Sequence, residues 1–544
     1  MAGRISDQAV YVATGSFLTG IGIHLALFIR GEWHVYSPYI GSYYGLLLGF
    51  SLCLHVWYAN FMPIFAFFSH IAGIFASIFI YRLIFHRLNR AGLPGPFWAR
   101  FSKLPHVWKI RDSKNHIYLH NIHVKYGEVV RTGPAEVTIF LPEALEAVGG
   151  RQSTCIKGEF YDLLWPELAL FAARDKSLHA KRRRDWNAGF SPQAIKIHEK
   201  KVLRHVQRPD QQLRIEVASG NVVNVTEFLL WFTFDVMTDF TFSGSLNLLQ
   251  EDKCRQVVVK ARRARSTLGP LTPAPWLLQV GLKLLPRIWW IKDWNDSITW
   301  AHDQIQDRLS RKVDDKDLVS YLMEPKTTSR EELGRWLKGD SLLAILAGSE
   351  PTGQSLAGVF HELARHPDQI RKLRNDLKGI SLSDNKALVV VPHLNAVLQE
   401  AMRLHANLLT GGVQKTAETG LRFGDGIYIP PHTTVVTPLY TISRREDCFE
   451  HAEEFIPERW TSRREMVRNA QAHVPFSLGT YNCFGQELGM RIMRYTVAMV
   501  VTHYDFCYAP GHDGSEMELG KSDRFTAFPG KVPLCFTLVS KAEG

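Results

Sequence analysis

Cys483 lies in Phe476-Ser-Leu-Gly479-Thr-Tyr481-Asn-Cys483-Phe-Gly485, a glycine-punctuated loop that runs into an apolar stretch of helical period, Phe484–His503. A cysteine just before a helix meets free N–H groups and the positive end of the helix dipole, and both favour thiolate over thiol. Gly479 and Gly485 allow close main-chain approach to a flat ligand. An anionic sulfur in that setting can ligate heme iron and push electron density toward O–O cleavage. The competing reading of a lone cysteine is a small buried hydrophobe. A cysteine-dependent hydrolase fails for want of a paired base at any recognisable spacing.

Two further groups could handle protons and anions. Ala347-Gly348-Ser349-Glu350-Pro351-Thr352 falls midway along a long helical stretch, which opens at the capping-box pattern Ser329-Arg330-Glu331-Glu332 and ends near His366-Pro367. Pro351 has no N–H, so the carbonyl of Ala347 loses its helix partner and a local opening is expected, eased by Gly348. Such an opening could hold O₂ or water, with Glu350 as proton gate and Thr352 supplying the hydroxyl. The basic stretch His179-Ala-Lys-Arg-Arg183-Arg184-Asp-Trp186 closes on Phe190-Ser191. It is surrounded by no recognisable nucleic-acid-binding module, and no nucleic-acid partner is expected. Glu400 and Arg403, three apart on an amphipathic helix His393–His405, share one face.

The cysteine loop resembles the heme-binding signature of the cytochrome P450 family, FxxGxRxCxG, through Phe476, Gly479, Cys483 and Gly485; Tyr481 stands at the arginine position. Four other segments follow the family's order. His179 and Arg183 fit its C-helix, Ala347–Thr352 its oxygen-binding turn, with Pro351 replacing the usual first threonine. Glu400-Ala-Met-Arg403 matches ExxR, and Phe455-Ile-Pro457-Glu458-Arg459-Trp460 the PERF segment. The resemblance implies heme b with Cys483 as axial iron ligand. It places Phe476, Tyr481 and Gly485 around the cofactor, His179, Arg183 and Lys415 at its propionates, and Glu350 and Thr352 in proton delivery. Tyr481 offers one phenolic hydrogen bond in place of an ionic contact. Glu400, Arg403 and Arg459 are implied to form a buried network with a folding role. Lys181, Arg182 and Arg184 are expected to point elsewhere, toward an acidic redox partner.

These residues need a large scaffold. From about Phe97 onward there is no linker, repeat or low-complexity tract. Val129–Thr132 and Glu136–Leu141 read as a β-hairpin through Gly133-Pro134, residues 225–245 as a buried helix, and Leu421–Val436 as short strands. The expected fold is mainly α with small β-sheets, P450-like, over residues 91–544. Residues 1–90 read as a membrane anchor of one to three spans: Val10–Ile29, Tyr36–Phe61 and Phe61–Ile84 are long enough, the second weakened by Pro38, His55 and Asn60. Arg82, Arg87, Arg90, Arg100 and Lys103 follow, which puts that flank in the cytosol. With 64 Lys+Arg against 53 Asp+Glu, the chain is net basic at +11 and suits an anionic partner. Seven cysteines, odd in number and without CxxC, argue against a disulfide scaffold.

The resulting expectation is an endoplasmic-reticulum heme-thiolate monooxygenase with its catalytic domain on the cytosolic face. It would oxidise a lipophilic fungal secondary-metabolite intermediate that enters from the lipid bilayer. No flavin or nicotinamide fingerprint is present, so the implied electron donor is NADPH–cytochrome P450 reductase, with cytochrome b5 as an additional donor. Substrate contacts are implied in Lys157–Ala173 (Phe160, Tyr161, Leu164, Trp165, Leu170, Phe171) and about Lys253–Trp294 (Pro270, Pro273, Pro275, Trp276, Trp289, Trp290). Two alternatives keep the heme: ring closure, dehydration or isomerisation without net oxygen insertion, since Pro351 alters the usual proton relay, and a catalytically inactive membrane heme-binding protein.

Overall fold

The computed structural model describes residues 2–324, 329–424 and 426–539; Asp425, within the segment read as short strands, lies outside them. Helices Ala2–Ile23, Ser37–Tyr58 and Met62–Ile80 come first, and the surrounding stretches are long and apolar enough to cross a membrane three times. The first and third press together through glycines. A Cβ on Gly20 would stand 2.2 Å from the His70 carbonyl oxygen, and one on Gly73 2.1 Å from that of Phe17. Small residues at such a contact let two backbones approach, which drives association where lipid offers no hydrophobic contrast. The second helix tolerates Pro38 because it sits in the first turn, where an N–H needs no partner. Asn60 falls beyond its end and accepts from the Met62 N–H at 2.9 Å.

The remainder is mainly helical with small sheets. The expected hairpin forms between Val129–Gly133 and Glu136–Ile139, with Val129 opposite Ile139. A five-stranded sheet continues through Thr434–Val436 and Val413–Lys415 to Ile156–Lys157. Ile156 and Lys157 thus stand opposite Lys415 and Gln414.

The longest helix, Arg330–Arg365, opens where expected: Ser329 Oγ accepts the Glu332 N–H at 3.2 Å. It does not open at Pro351; the helix runs through the proline unbroken. Tight packing accounts for this. Helix Val225–Phe242, buried along nearly its whole length, lies against it, and a Cβ on Gly353 would come within 2.9 Å of Thr233 Oγ1. One missing hydrogen bond is held straight by packing along many turns. Helices Pro392–Leu404 and Gln486–His503 complete the same core.

The ExxR network is present and closed. Arg403 donates to both Glu400 oxygens at 2.9 and 2.8 Å, Arg459 Nε to Oε1 at 2.8 Å and Trp460 Nε1 to Oε2 at 2.9 Å. Arg403 also reaches the carbonyls of Ser443, Ala452 and Glu454. All three charged residues are fully buried.

Candidate active site

The cysteine loop is built on main-chain bonds. The Cys483 N–H donates to the Phe476 carbonyl at 2.8 Å, closing a tight hairpin. Gly479 has φ +60°, and a Cβ there would meet the Gly149 carbonyl oxygen at 2.3 Å, so the loop needs glycine at this position. Gly485 is under no such constraint: a Cβ there would make ordinary contacts with Cys483 Sγ and Phe190. Its contribution is electrostatic: its N–H draws the thiol's pKa down.

Cys483 is accessible and lines a cavity of about 540 Å³ with Arg183, Asn187, Phe190, Gln399 and Met490. The protein packed around it still pushes the thiol up, against the Gly485 N–H, the Arg183 guanidinium and the Gln486 N–H, which pull it down. The loop alone therefore does not supply the thiolate expected from the sequence; a coordinated cation deprotonates such a sulfur outright.

Beside the loop lies a group of basic residues. Asp175 caps helix Lys176–Gly189, its carboxylate accepting the Leu178 N–H at 2.7 Å. That helix carries His179 and Arg183 one turn apart. Arg183 donates to the Thr480 and Asn482 carbonyls and to Asn482 Oδ1 at 3.0, 2.9 and 2.6 Å. The buried His179 ring meets the Tyr481 ring edge-on at 4.8 Å. Lys157 joins them from the sheet edge, with Nζ 4.6 Å from the centre of the Tyr481 ring and donating to the Leu170 and Phe171 carbonyls at 3.2 and 2.6 Å. Among the described residues, none of Lys157, His179 and Arg183 pairs with a carboxylate. Burial, then Arg183, lowers Lys157 to about 7; burial, Lys157 and Arg183 lower His179 to about 3. His179 Nδ1, Tyr481 OH and Trp186 Nε1 are buried without a hydrogen-bond partner.

This arrangement fits heme. A soft sulfur suits the iron, and basic residues with no carboxylate partner among the described residues, next to orphaned polar atoms, suit two propionates. Lys157 also sets a cation against Tyr481, where the family pattern has arginine. Sequence reading placed Lys157 only at the edge of a substrate region; a lone lysine before glycine gives no local sign of its neighbours. Lys415 is not part of the group. Its ammonium is held by Glu32 and Glu159, both at 2.6 Å. Arg182 is not turned toward a partner either: it is buried and bonds Asp340 Oδ2 at 2.7 Å, leaving only Lys181 and Arg184 exposed.

On helix Arg330–Arg365, Leu343, Leu346, Ala347 and Pro351 form a stripe that solvent reaches, in a helix otherwise largely buried. Glu350 lies off that stripe. It is 1% exposed, and both its oxygens are taken by Arg265, a buried arginine 85 positions away with no local signal of this pairing. Thr352 Oγ1 donates to the Gly348 carbonyl at 2.9 Å, and a Cβ on Gly489, in the helix after Cys483, would stand 3.7 Å from it. The structure thus brings Thr352 near the cysteine helix and clamps Glu350 elsewhere.

The two implied substrate regions meet. Phe160 and Tyr161 pack with Ala264, Leu268, Leu278 and Trp294 in one apolar cluster. Phe525, at a hairpin tip and not foreseen, stacks on Phe160 at 4.7 Å.

Comparison with known proteins gives the family. Residues 93–536 match the Cytochrome P450 family model. The chain is 31% identical over 548 residues to tryprostatin B 6-hydroxylase of Aspergillus fumigatus, covering 97% of this chain and 96% of that protein. It is 34% identical over 481 residues to the cytochrome P450 monooxygenase orf5 of Eupenicillium brefeldianum, covering 86% and 95%. Against the cytochrome P450 monooxygenase phqL of Penicillium fellutanum it is 31% identical over 555 residues, covering 96% and 94%. A heme-ready cysteine loop, the basic group beside it and this family match over most of the chain lead to one conclusion: the chain belongs to the cytochrome P450 family, as a heme monooxygenase similar to those of fungal secondary metabolism.

Proposed function

We propose that the chain hydroxylates a lipophilic secondary-metabolite intermediate at the endoplasmic-reticulum membrane, with residues 91–544 on the cytosolic face and residues 1–90 as anchor. Electrons come from NADPH–cytochrome P450 reductase. The observation that carries this reading is Cys483, on a glycine-held loop, beside the basic residues Lys157, His179 and Arg183, none of which pairs with a carboxylate among the described residues. When bound, the heme supplies O₂ activation: two electrons and two protons are consumed, one oxygen atom enters a C–H bond and the other leaves as water. Cys483 holds the iron. Lys157 and Arg183 would neutralise the propionates, and His179 and Tyr481, both uncharged, would offer them hydrogen bonds. Glu350 passes protons once Arg265 releases a carboxylate oxygen, and Thr352 orients a donor hydroxyl. The aromatic cluster around Phe160, Tyr161 and Phe525 supports an apolar substrate, and the hydroxylase activity in one relative's name supports oxygen insertion.

The test is the reduced, carbon-monoxide-bound difference spectrum of microsomes carrying the full chain, wild type beside Cys483→Ala. A red-shifted thiolate Soret band in wild type, lost in the variant, is expected. Heme present without that band sinks the ligand assignment.

A second reading has its own support. Glu350 is clamped by Arg265, and the Thr352 hydroxyl is spent on its own helix. An enzyme with its proton path tied up suits dehydration or isomerisation, which consume no O₂; oxidative ring closure without oxygen insertion still reduces O₂ to water and draws on the same protons. Turnover under ¹⁸O₂ separates the two, because a product without label favours the second.

A further inference from the structure

The loop that joins the first two membrane helices, residues 29–36, is bonded into the catalytic domain. Glu32 receives Arg174 as a bidentate pair, at 2.6 and 2.9 Å, and Lys415 at 2.6 Å. His34 is buried, with Nε2 2.8 Å from Asp162 Oδ2, and Arg174 reaches that same oxygen at 2.6 Å. Ser37 Oγ donates to the Trp276 carbonyl at 3.0 Å. Three remote parts of the domain are therefore gripped from one short loop: the segment after Ile156–Lys157, the strand Val413–Lys415 and the helix Pro275–Leu284. Glu32, His34 and Asp162 lie close enough to share a metal ion, but the Arg174 guanidinium already bridges both carboxylates.

Arg174 does one thing more. Its Nε donates to the main-chain carbonyl of Lys157 at 3.0 Å, and Lys157 carries the ammonium beside Tyr481. A chain of charge-assisted bonds thus runs from the membrane loop to the cation group, and bonds of this kind are the strong, directional ones. We propose that Glu32 is a positioning residue for the heme: through Arg174 it fixes the backbone of Lys157, and so the ammonium that meets a propionate. This rests on the reading of that group as the propionate site. It also places the loop on the domain's side of the bilayer, so the helices on either side of it both cross, and all three N-terminal helices are spans.

The test uses the full chain in microsomes. Heme release to a scavenging apoprotein is timed for Glu32→Gln, Glu32→Lys, Lys157→Met and Glu32→Lys/Lys157→Met. Release several-fold faster in Glu32→Gln, and about tenfold faster in Glu32→Lys, is expected from the loss of one charge-assisted bond. In the double variant, release should be no faster than in Lys157→Met alone, because Glu32 acts through Lys157. Additive rates would mean that Glu32 merely stabilises the fold, and would overturn the proposal. Fast release from Lys157→Met with normal release from both Glu32 variants also overturns it while leaving the propionate reading intact. Normal release from Lys157→Met removes both. Independently, Tyr36→Cys in sealed microsomes should react with an impermeant maleimide from the same side as the exposed Cys507. Protection until the membrane is permeabilised would defeat the strap.

Discussion

Two polar groups in this molecule are built on opposite plans. Around Glu400, the carboxylate has Arg403, Arg459, Trp460 and the Ile456 N–H, and the arginines use their remaining donors on main-chain carbonyls. Around Tyr481, Lys157, His179 and Arg183 have no carboxylate among the described residues, and three polar atoms have no partner. A buried charge costs several kcal/mol unless it is paired. The first group settles that cost inside the chain and so belongs to folding. The second leaves it open, which an anionic ligand closes. Protein-only and cofactor-dependent electrostatics can thus be told apart by asking which cations have an acid.

The largest test of that distinction is Arg403→Met. It removes two of the bonds to the Glu400 carboxylate, leaving Arg459, Trp460 and the Ile456 N–H, and orphans three carbonyls, a cost of about 3–5 kcal/mol, a large fraction of the roughly 5–15 kcal/mol that holds a domain together. The cooperative circular-dichroism melt should be lost or fall sharply with and without heme. A normal melt would show that the network is not what holds the fold. Lys157→Met should behave in the opposite way: the protein without heme melts at the same temperature or higher, since a poorly paired buried ammonium is gone, while heme leaves about tenfold faster, the loss of one charge-assisted bond.

The contrast was only half legible in the sequence. Signals confined to a few residues came through: the Ser329 cap, the Val129–Ile139 hairpin, the helical period of Pro392–Leu404 and of Gln486–His503, and the glycine spacing around Cys483. Ion pairs across the chain did not. Arg182 finds Asp340 158 positions away, Glu350 finds Arg265 85 away and Lys415 finds Glu32 383 away. A basic run gives no sign of which members are buried, because the acids that neutralise them arrive only with the tertiary fold. The regular helix through Pro351 is similar: local chemistry predicts a break, and packing against Val225–Phe242 overrides it.

Acidity sharpens the contrast further. Lys157 sits at about 7 in the fold against 10.5 free. Between those values the unfolded chain binds the extra proton, so this residue makes the heme-free protein more stable as pH rises through the window. Propionates favour the charged ammonium and raise its pKa, so the Lys157 contribution to heme affinity should move the other way. It should be greatest below pH 7 and fall above it by at most about tenfold per pH unit. Cys483 gives up its own proton on ligation and adds the opposite slope, so the Lys157 contribution is read against Lys157→Met: from pH 7 to 9, wild-type heme retention relative to that variant should fall while the relative heme-free melting temperature rises. A relative heme retention that does not change with pH would remove Lys157 from the cofactor site.

The smallest effect concerns helix Lys176–Gly189, which carries every kind of charge at once. Arg182 is buried and paired, Arg183 is turned to the cysteine loop, and Lys181 and Arg184 are exposed. Exposed charges away from any network change stability by no more than about 0.5 kcal/mol. Lys181→Gln/Arg184→Gln should therefore melt normally and keep heme as wild type does, whereas Arg182→Gln, which strands Asp340, should not melt normally. On the proposed reading, the exposed pair meets the reductase instead. Its loss should slow reductase-supported turnover a few-fold at low salt, and the deficit should vanish near 1 M salt, where the screening length is only about 3 Å. A deficit that persists at high salt would mean that these two residues act inside the protein, as Arg182 does, and not on the surface that receives electrons.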